Sequence, residues 1–244
     1  AVTNFHFNND YVINLGSLLA QSGTLTFTSC AFTNHPSSQL SLSATATCDL
    51  TGNGLNELNG QILSPGYNRL RFLAGNSYLA TTNLQTPSLY LLGGYLHQRT
   101  NHVVSQINQS AGTWNLLVPC TASGYNLTNG ELRGRTLIAT NFYWTAGALN
   151  ADAPGDSLII PTGGVGTIAG ASVKTLGDYT AANNGRSITN LGTLTLADYG
   201  LLGYYGPRIH NAGTFTAVNA TAITSAGAGL SPFFINTGTF SAVT

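Results

Sequence analysis

The acidic residues and the histidines are the side chains of this sequence that could carry acid–base or metal chemistry. Enzymes that cleave polysaccharides hold two carboxylates, or a carboxylate with a basic side chain, on one face. None of the eight acids lies two residues from another, the spacing that would place both on one side of a strand. His97 and His102 are five residues apart, which is not a standard metal-ligand spacing. No nucleophile elbow, phosphate-binding loop or zinc-protease motif occurs. We therefore predict no catalytic residues and no enzyme, with a polysaccharide-degrading enzyme as the third alternative.

One segment has the side-chain oxygens that calcium prefers. It reads Asp49-Leu50-Thr51-Gly52-Asn53-Gly54-Leu55-Asn56-Glu57 and resembles the Asp-rich calcium loops of extracellular repeat proteins. The oxygen ligands would come from Asp49, Thr51, Asn53 and Glu57. Only two of these are carboxylates, and Asn53 stands where such loops have a central aspartate. A plain Asn-Gly turn is therefore the alternative, and no other cofactor is expected.

A glycine-rich segment imitates a dinucleotide-binding turn. Residues 164–170 follow the apolar run Leu158-Ile159-Ile160 with the sequence Gly-Val-Gly-Thr-Ile-Ala-Gly. Such a turn needs a helix directly after it, whose N-terminal N–H groups bind the phosphate. The next residues have no helical period, and Pro161 interrupts the approach. We interpret these glycines as structural turns.

The composition favours an all-β protein with a nearly uncharged surface. Hydrophobic residues make up 43% of the chain and charged residues only 7%, with a net charge of +0. The surface must therefore consist of Thr, Ser, Asn and Gly, which suit strands and turns better than helices. Nucleic acid is excluded as a partner because there is no basic patch, and no run of 18 apolar residues could span a membrane. The sequence starts at Ala1 and contains no methionine, as expected of a processed secreted protein or of an excised fragment. We expect an extracellular or cell-surface location.

A repeated motif is the strongest signal in the sequence. It consists of an asparagine, any residue, glycine, threonine, an apolar residue and a hydroxyl residue. The clear copies begin at Asn190, Asn211 and Asn236, and a related copy begins at Asn14. The repeat residues of the three clear copies are Asn190, Gly192, Thr193, Asn211, Gly213, Thr214, Asn236, Gly238 and Thr239.

This motif has the properties of one coil of a β-solenoid. Copies recur every 21 to 25 residues, which is a typical coil length. Glycine suits the corner between two strands, asparagines on successive coils can pair as a ladder, and the alternation that follows makes a half-buried strand. The alternative is a β-sandwich with unrelated Gly-Thr turns.

The motif resembles the coils of right-handed parallel β-helices in secreted bacterial adhesins and autotransporter passenger regions. The resemblance covers the last quarter of the chain and one stretch near the start. It implies a single elongated domain over 1–244, regular over 188–244. Division of the 244 residues by the repeat of 21 to 25 gives about ten coils. Residues 49–187 would be irregular coils or an inserted β module.

Two of the three cysteines are predicted to form a disulfide. Cys30 and Cys48 lie in short strand-like segments and would close a modest loop, which would contribute about 3 kcal/mol. Buried free thiols are the alternative. Cys120 would be left as a free buried thiol or, as the alternative, form an intermolecular bridge.

The final twelve residues contain no charge and no proline, the usual devices that protect a sheet edge. We predict a self-assembly edge at Phe234, Ile235, Phe240 and Val243, with the protein itself as partner and a homopolymeric fibre or matrix as product. An end whose cap is missing is the alternative. A second function is recognition of ice or glycans, including surface glycans, through threonine rows such as Thr24-x-Thr26-x-Thr28.

Overall fold

The computed structural model describes residues 4–64, 69–86, 88–153, 155–177, 186–198, 200–219, 222–225 and 233–243. The regular structure in these ranges consists of β-strands, and they contain no helix. No segment within them could therefore cross a membrane as a helix. The chain divides into two compact units, Ala1–Val118 and Pro119–Thr244.

The first unit contains strands β1 to β16. Their bounds are β1 Phe5–Asn8, β2 Tyr11–Asn14, β3 Ser17–Ala20, β4 Gly23–Thr28, β5 Ala31–Asn34, β6 Gln39–Leu42, β7 Ala46–Leu50, β8 Leu55–Leu58, β9 Gln61–Leu63, β10 Arg69–Phe72, β11 Asn76–Leu79, β12 Leu84–Gln85, β13 Ser88–Leu91, β14 Tyr95–Gln98, β15 Val103–Gln109 and β16 Thr113–Leu116.

These strands form three parallel sheets. Neighbouring strands in a sheet are two or three strands apart along the chain, because each turn of the chain contributes at most one strand to each sheet. The orders are β1-β4-β7-β10-β13-β15, β2-β5-β8-β11-β14-β16 and β3-β6-β9-β12. Phe5 lies opposite Leu25 and Leu25 opposite Cys48, so each turn of chain repeats the position of the turn before. The unit is therefore a parallel β-solenoid.

The second unit contains strands β17 to β31. Their bounds are β17 Cys120–Leu127, β18 Glu131–Gly134, β19 Leu137–Trp144, β20 Gly147–Leu149, β21 Ser157–Ile160, β22 Val165–Ile168, β23 Lys174–Leu176, β24 Ser187–Asn190, β25 Thr193–Ala197, β26 Leu201–Gly203, β27 Arg208–Asn211, β28 Thr214–Val218, β29 Ile223–Ser225, β30 Phe233–Asn236 and β31 Thr239–Val243.

The second unit is also a parallel solenoid, with one division in its long sheet. The start of β19 pairs with β21 and its end pairs with β22, so one long strand continues as two short ones. Pro161 lies at this division, where its missing N–H cannot take part in a ladder. The two branches then run β21-β24-β27-β30 and β22-β25-β28-β31, beside the sheet β18-β20-β23-β26-β29.

The predicted all-β solenoid of about ten turns is confirmed. All described strand pairs are parallel, which excludes the β-sandwich alternative. Residues 49–187, which were expected to be irregular, contain strands stacked in the same parallel manner. Their less regular spacing reflects corners of different length.

The core of the second unit consists of rows of inward side chains, each row contributed by the same position of successive turns. Leu158, Ile188 and Ile209 form such a row along β21, β24 and β27, and each is no more than 1% exposed. Between them, outward residues alternate with inward ones, as period-two strands require. Burial of these rows on their neighbours stabilises each turn.

The predicted disulfide between Cys30 and Cys48 is wrong. Both side chains are buried free thiols, as is Cys120. Cys48 lies opposite Leu25 in the parallel register, and Cys30 is five residues further along the coil. Matching positions of successive turns are neighbours at about 5 Å, and Cys30 and Cys48 do not hold matching positions. Cys30 Sγ instead donates to Thr28 O at 3.4 Å.

Candidate functional site

The three clear repeats stack in register on one side of the second unit, as predicted. Thr193 lies opposite Thr214, and Thr214 lies opposite Thr239, in parallel strands β25, β28 and β31. The repeat therefore reports the geometry of successive turns.

The asparagines of the repeat form a hydrogen-bonded ladder. Asn190 Nδ2 donates to Asn211 Oδ1 at 2.7 Å, and Asn211 Nδ2 donates to Asn236 Oδ1 at 2.6 Å. Each amide also donates to the carbonyl that begins the next strand of the following turn, Thr214 O at 2.8 Å and Thr239 O at 2.9 Å. The donors all point from an earlier turn to a later one, so the ladder has a direction.

The related motif in the first unit makes the same contacts. Asn14 Nδ2 donates to Asn34 Oδ1 at 2.8 Å and to Gln39 O at 2.9 Å. Gln39 begins β6 and lies opposite Ser17, the residue that corresponds to Thr193 of the later motif. The same pair of asparagine hydrogen bonds therefore occurs in both units.

The second unit exposes an open turn at β30 and β31. Within the described residues, each of these strands pairs on one side only, β30 with β27 and β31 with β28. Phe234 and Phe240 occupy inward core positions, opposite Ile209 and Phe215, yet they are 39% and 50% exposed. Their rings pack edge to face with centroids 5.6 Å apart.

All four residues predicted to form the self-assembly edge lie on this turn. Phe234 and Ile235 lie in β30, and Phe240 and Val243 lie in β31. All four are exposed, as is Phe233. An apolar surface of this kind on unpaired strands is able to add further strands.

The first unit has a second open turn at β1, β2 and β3. In the described part of the chain, each of these strands also pairs on one side only. Large apolar side chains are again exposed there, and they are Phe5, Tyr11, Ile13, Leu15 and Leu19. Tyr11, Ile13 and Leu19 stand at outward positions of these strands. The inward Val12 and Leu18 are half-buried, whereas Phe32 and Leu40, opposite them on the next turn, are fully buried.

The four calcium-candidate residues are spread over two strands and the turn between them. Asp49 lies in β7 and its carboxylate accepts both the Nε–H and an Nη–H of Arg71. Thr51 Oγ1 donates to Phe27 O at 3.2 Å, and Asn53 is exposed. Glu57 lies in β8, which belongs to a different sheet from β7. The Asp49 carboxylate, which a calcium ion would need most, is therefore already paired with Arg71.

Glu131, Asp152 and Asp156 of the second unit also lie beside arginines. Arg133 Nε lies 2.7 Å from Asp152 Oδ1, and Arg135 Nη1 lies 3.8 Å from Asp156 Oδ1. Asp156 Oδ2 accepts the backbone N–H of Ala153 at 2.9 Å, which closes the loop before β21. Within the described residues, no three His, Cys, Asp or Glu side chains are grouped as metal ligands would be.

The threonine rows are short. Thr193, Thr214 and Thr239 form one row, and Thr195, Thr216 and Ser241 form the next. In the first unit, Thr26 lies between His6 and Asp49, so it belongs to no threonine row. These rows are too short to form the extended flat threonine lattice that ice recognition was expected to use.

A cluster of aromatic and basic side chains lies on the outer face of β11 and β14, and the sequence did not indicate it. Tyr78 and His97 stack with ring centroids 4.7 Å apart, and the Arg99 guanidinium lies 3.8 Å from the centre of the Tyr78 ring. Tyr95 stands beside His97 and is 52% exposed. Partial burial and the nearby charge of Arg99 lower the pKa of His97, so the ring is neutral at pH 7. The spacing Tyr78-x18-His97 spans one coil and would have indicated the contact.

Arg186 is a second feature that the sequence did not indicate. The side chain is 0% exposed, and its guanidinium donates to the carbonyls of Gly134, Arg135, Asn150 and Ser157 at 2.8–3.1 Å. Burial lowers the pKa of Arg186 to about 10, so the group stays charged at neutral pH. It ties together carbonyl groups of successive turns and has a structural role.

No protein-family model, no curated protein and no solved structure matches this chain. Its function therefore has to be argued from the two open turns, the ladder and the outer side-chain clusters.

Proposed function

We propose that this protein is an extracellular structural or adhesive β-solenoid, of the kind found in secreted adhesins, which associates end to end into fibres or a matrix. The observation that carries the proposal is the pair of open turns, whose strands pair on one side only among the residues that the structure describes and which expose apolar side chains. One turn belongs to the first unit and the other to the second, and the two surfaces differ. Contact between unlike surfaces of identical copies repeats without limit unless the ring closes.

The near absence of charge at both open turns supports association. Strands β30 and β31 contain no charged residue, and β1 to β3 contain none either. Lysine on an edge strand is a common device against pairing, because its charge would have to be desolvated. Neither turn has this protection on its strands, and the charged side chain of the first open turn, Asp10, lies at the corner between β1 and β2.

The proposal is tested by light scattering on the unmodified protein and on an edge variant. Thr237→Lys with Thr239→Lys places two charges on the β30–β31 turn, whose residues at these positions are exposed. We expect the unmodified protein to increase in mass with concentration and the variant to remain monomeric.

A matched control has the same substitutions two turns earlier in the repeat. Leu191→Lys with Thr193→Lys changes the corresponding exposed positions inside the stack. This control should associate like the unmodified protein. A monodisperse monomer at all concentrations of the unmodified protein would reject end-to-end association.

Glycan recognition is a second candidate function, and the cluster on β11 and β14 favours it. Tyr95 presents an exposed aromatic ring beside the polar groups of His97, Arg99 and Asn115. Aromatic rings with nearby hydrogen-bonding groups are suited to the mixed apolar and polar surface of sugars. Tyr95→Ala should abolish binding in a glycan-array or calorimetric assay, whereas Tyr11→Ala, which changes a still more exposed tyrosine elsewhere, should not. Failure of the unmodified protein to bind any glycan would reject this function.

A further inference from the structure

The two open turns carry the same sequence pattern. Strands β30 and β31 with their corner read Phe-Phe-Ile-Asn-Thr-Gly-Thr-Phe-Ser-Ala over 233–242. Strands β2 and β3 with their corner read Tyr-Val-Ile-Asn-Leu-Gly-Ser-Leu-Leu-Ala over 11–20. Aligned without gaps, the segments share Ile, Asn, Gly and Ala at the same places, and the other inward positions are apolar in both.

We propose that one copy of this chain stacks β30 and β31 directly on β2 and β3 of a second copy, with Asn236 of the first copy above Asn14 of the second. This inference rests on the proposed end-to-end association and names its register. The contact continues the turn-on-turn packing already present inside each unit. Phe234 then packs on Val12, and Phe240 packs on Leu18.

The direction of the asparagine ladder fits this register. Inside each unit the earlier asparagine donates to the later one, as Asn211 does to Asn236. Asn236 is thus the member whose Nδ2 faces the next turn; at present it donates to Gly238 O at 3.1 Å. Asn14 is the member whose Oδ1 faces a preceding turn; this oxygen accepts the Gly16 N–H at 3.2 Å and has a second lone pair. Donor and acceptor are therefore complementary only in a head-to-tail contact.

Gly16 supplies an independent observation. At the corners of the later repeats, a Cβ would lie within 2.1–2.3 Å of the carbonyl oxygen of the glycine one turn earlier, as Gly213 shows against Gly192 and Gly238 against Gly213. These corners need glycine because the preceding turn leaves no space. Gly16 has no atom within 4 Å of its Cβ position in the described structure, and its φ is not in the left-handed region. A glycine is required there once the Gly238 carbonyl of another copy lies above it.

Backbone hydrogen bonds between the corners of successive turns fit the same register. Thr239 N donates to Gly213 O at 2.8 Å, and Thr214 N donates to Gly192 O at 2.8 Å. In the proposed contact, Ser17 N of the second copy donates to Gly238 O of the first. Both segments also lack charge, so the contact buries no ion.

The first test is Gly16→Ala in the full chain, followed by sedimentation velocity over a concentration series. Because the site is open within one copy, the variant should melt at the temperature of the unmodified protein. Its added methyl should clash with a second copy, and we expect at least about a tenfold rise in the concentration needed for half-association. Gly213→Ala is the matched control, since the same methyl inside the stack should lower the melting temperature.

The second test is a pair of cysteines placed to match the register. Leu15→Cys with Thr237→Cys introduces exposed thiols at the residues that follow Asn14 and Asn236. Both residues stand at the corner that follows a strand. In the proposed contact the two corners stack, and the Cα atoms of these residues are neighbours within the range that a disulfide spans. Mild oxidation should give a ladder of linked oligomers on a non-reducing gel. The shifted pair Ser17→Cys with Thr237→Cys should give little, because the positions are two residues out of register.

The outcomes separate the register from the association itself. Loss of association in Gly16→Ala together with cross-linking of the matched pair supports the register. If the unmodified protein associates but Gly16→Ala associates equally well, or the shifted pair cross-links as efficiently, the register is wrong and end-to-end association remains. If the unmodified protein stays monomeric, both are wrong.

Discussion

Loss of the Asn211 side chain should destabilise the second unit, because this residue is the middle member of the asparagine ladder. Asn211 is 1% exposed, donates to Asn236 Oδ1 and Thr239 O and, at 3.3 Å, to Gly213 O, and accepts from Asn190 Nδ2. A buried hydrogen bond contributes about 0.5–1.5 kcal/mol net, and Asn211→Ala removes all four, of which the one to Gly213 O is the longest. We expect the free energy of unfolding of the second unit to fall by about 2–4 kcal/mol.

Asn236→Ala is the matched control for this change. Asn236 is exposed and makes one bond to an earlier turn, from Asn211. Its removal should lower the free energy of unfolding by about 1 kcal/mol or less. The double variant should show coupling, because the two residues share a hydrogen bond.

Urea unfolding followed by tryptophan fluorescence measures this difference. Trp114 lies in the first unit and Trp144 in the second, and both are fully buried. A Trp114→Phe background leaves Trp144 to report the second unit alone, at a protein concentration low enough to prevent association. If Asn211→Ala lies within about 0.5 kcal/mol of its background, the ladder does not stabilise the turns as argued.

Three further predictions follow from buried groups. Arg186→Met should lower the free energy of unfolding by about 3–5 kcal/mol in urea, because the carbonyls that its charge binds lose their partner; an unchanged midpoint would contradict the structural role. Burial lowers the pKa of His102, opposed by a hydrogen bond with the Thr81 backbone, so the unfolded chain takes up its proton first as pH falls below about 6.5, and thermal stability should be lower at pH 5 than at pH 7. His102→Gln should reduce that difference, and an unaltered pH dependence would count against the assignment. Iodoacetamide should label none of the three cysteines in the native protein and all three after unfolding, and a reductant should leave the melting temperature unchanged; a native disulfide seen by mass spectrometry would contradict this.

The solenoid could be predicted where the corner residues repeat. The ladder requires the same asparagine on successive turns, and the corner beside it requires glycine for lack of space. These two demands fix the Asn-x-Gly-Thr pattern at Asn190, Asn211 and Asn236. Because the requirement is local and recurs, a single sequence contains enough information to reveal it.

The middle turns could not be identified in this way because their corners recur at unequal distances. Gly75, Gly94 and Gly112 form a column in the first unit, in which the Cβ position of each later glycine lies 2.5 Å from the carbonyl oxygen of the one before. They are separated by 19 and then 18 residues, whereas the clear repeats are separated by 21 and 25. The number of residues in a corner can change without disturbing the rows of inward side chains. A search for a repeat of fixed length therefore does not find these turns.

The cysteine pairing and the Arg186 contacts depend on three-dimensional register. Cys30 and Cys48 are close in sequence, but they occupy different positions of the coil. The carbonyls that bind Arg186 precede it by 29 to 52 residues. Neither relation could be derived before the length of each turn was known.

Concentration-dependent amide hydrogen exchange tests end-to-end association most directly, because it shows where copies meet. We expect peptides covering β1 to β3 and β30 to β31 to gain protection as the protein concentration rises, while those covering β11, β14, β24 and β25 do not change. Exchange that is independent of concentration everywhere, or protection that appears only on the outer faces of the interior turns, would contradict association through the open turns.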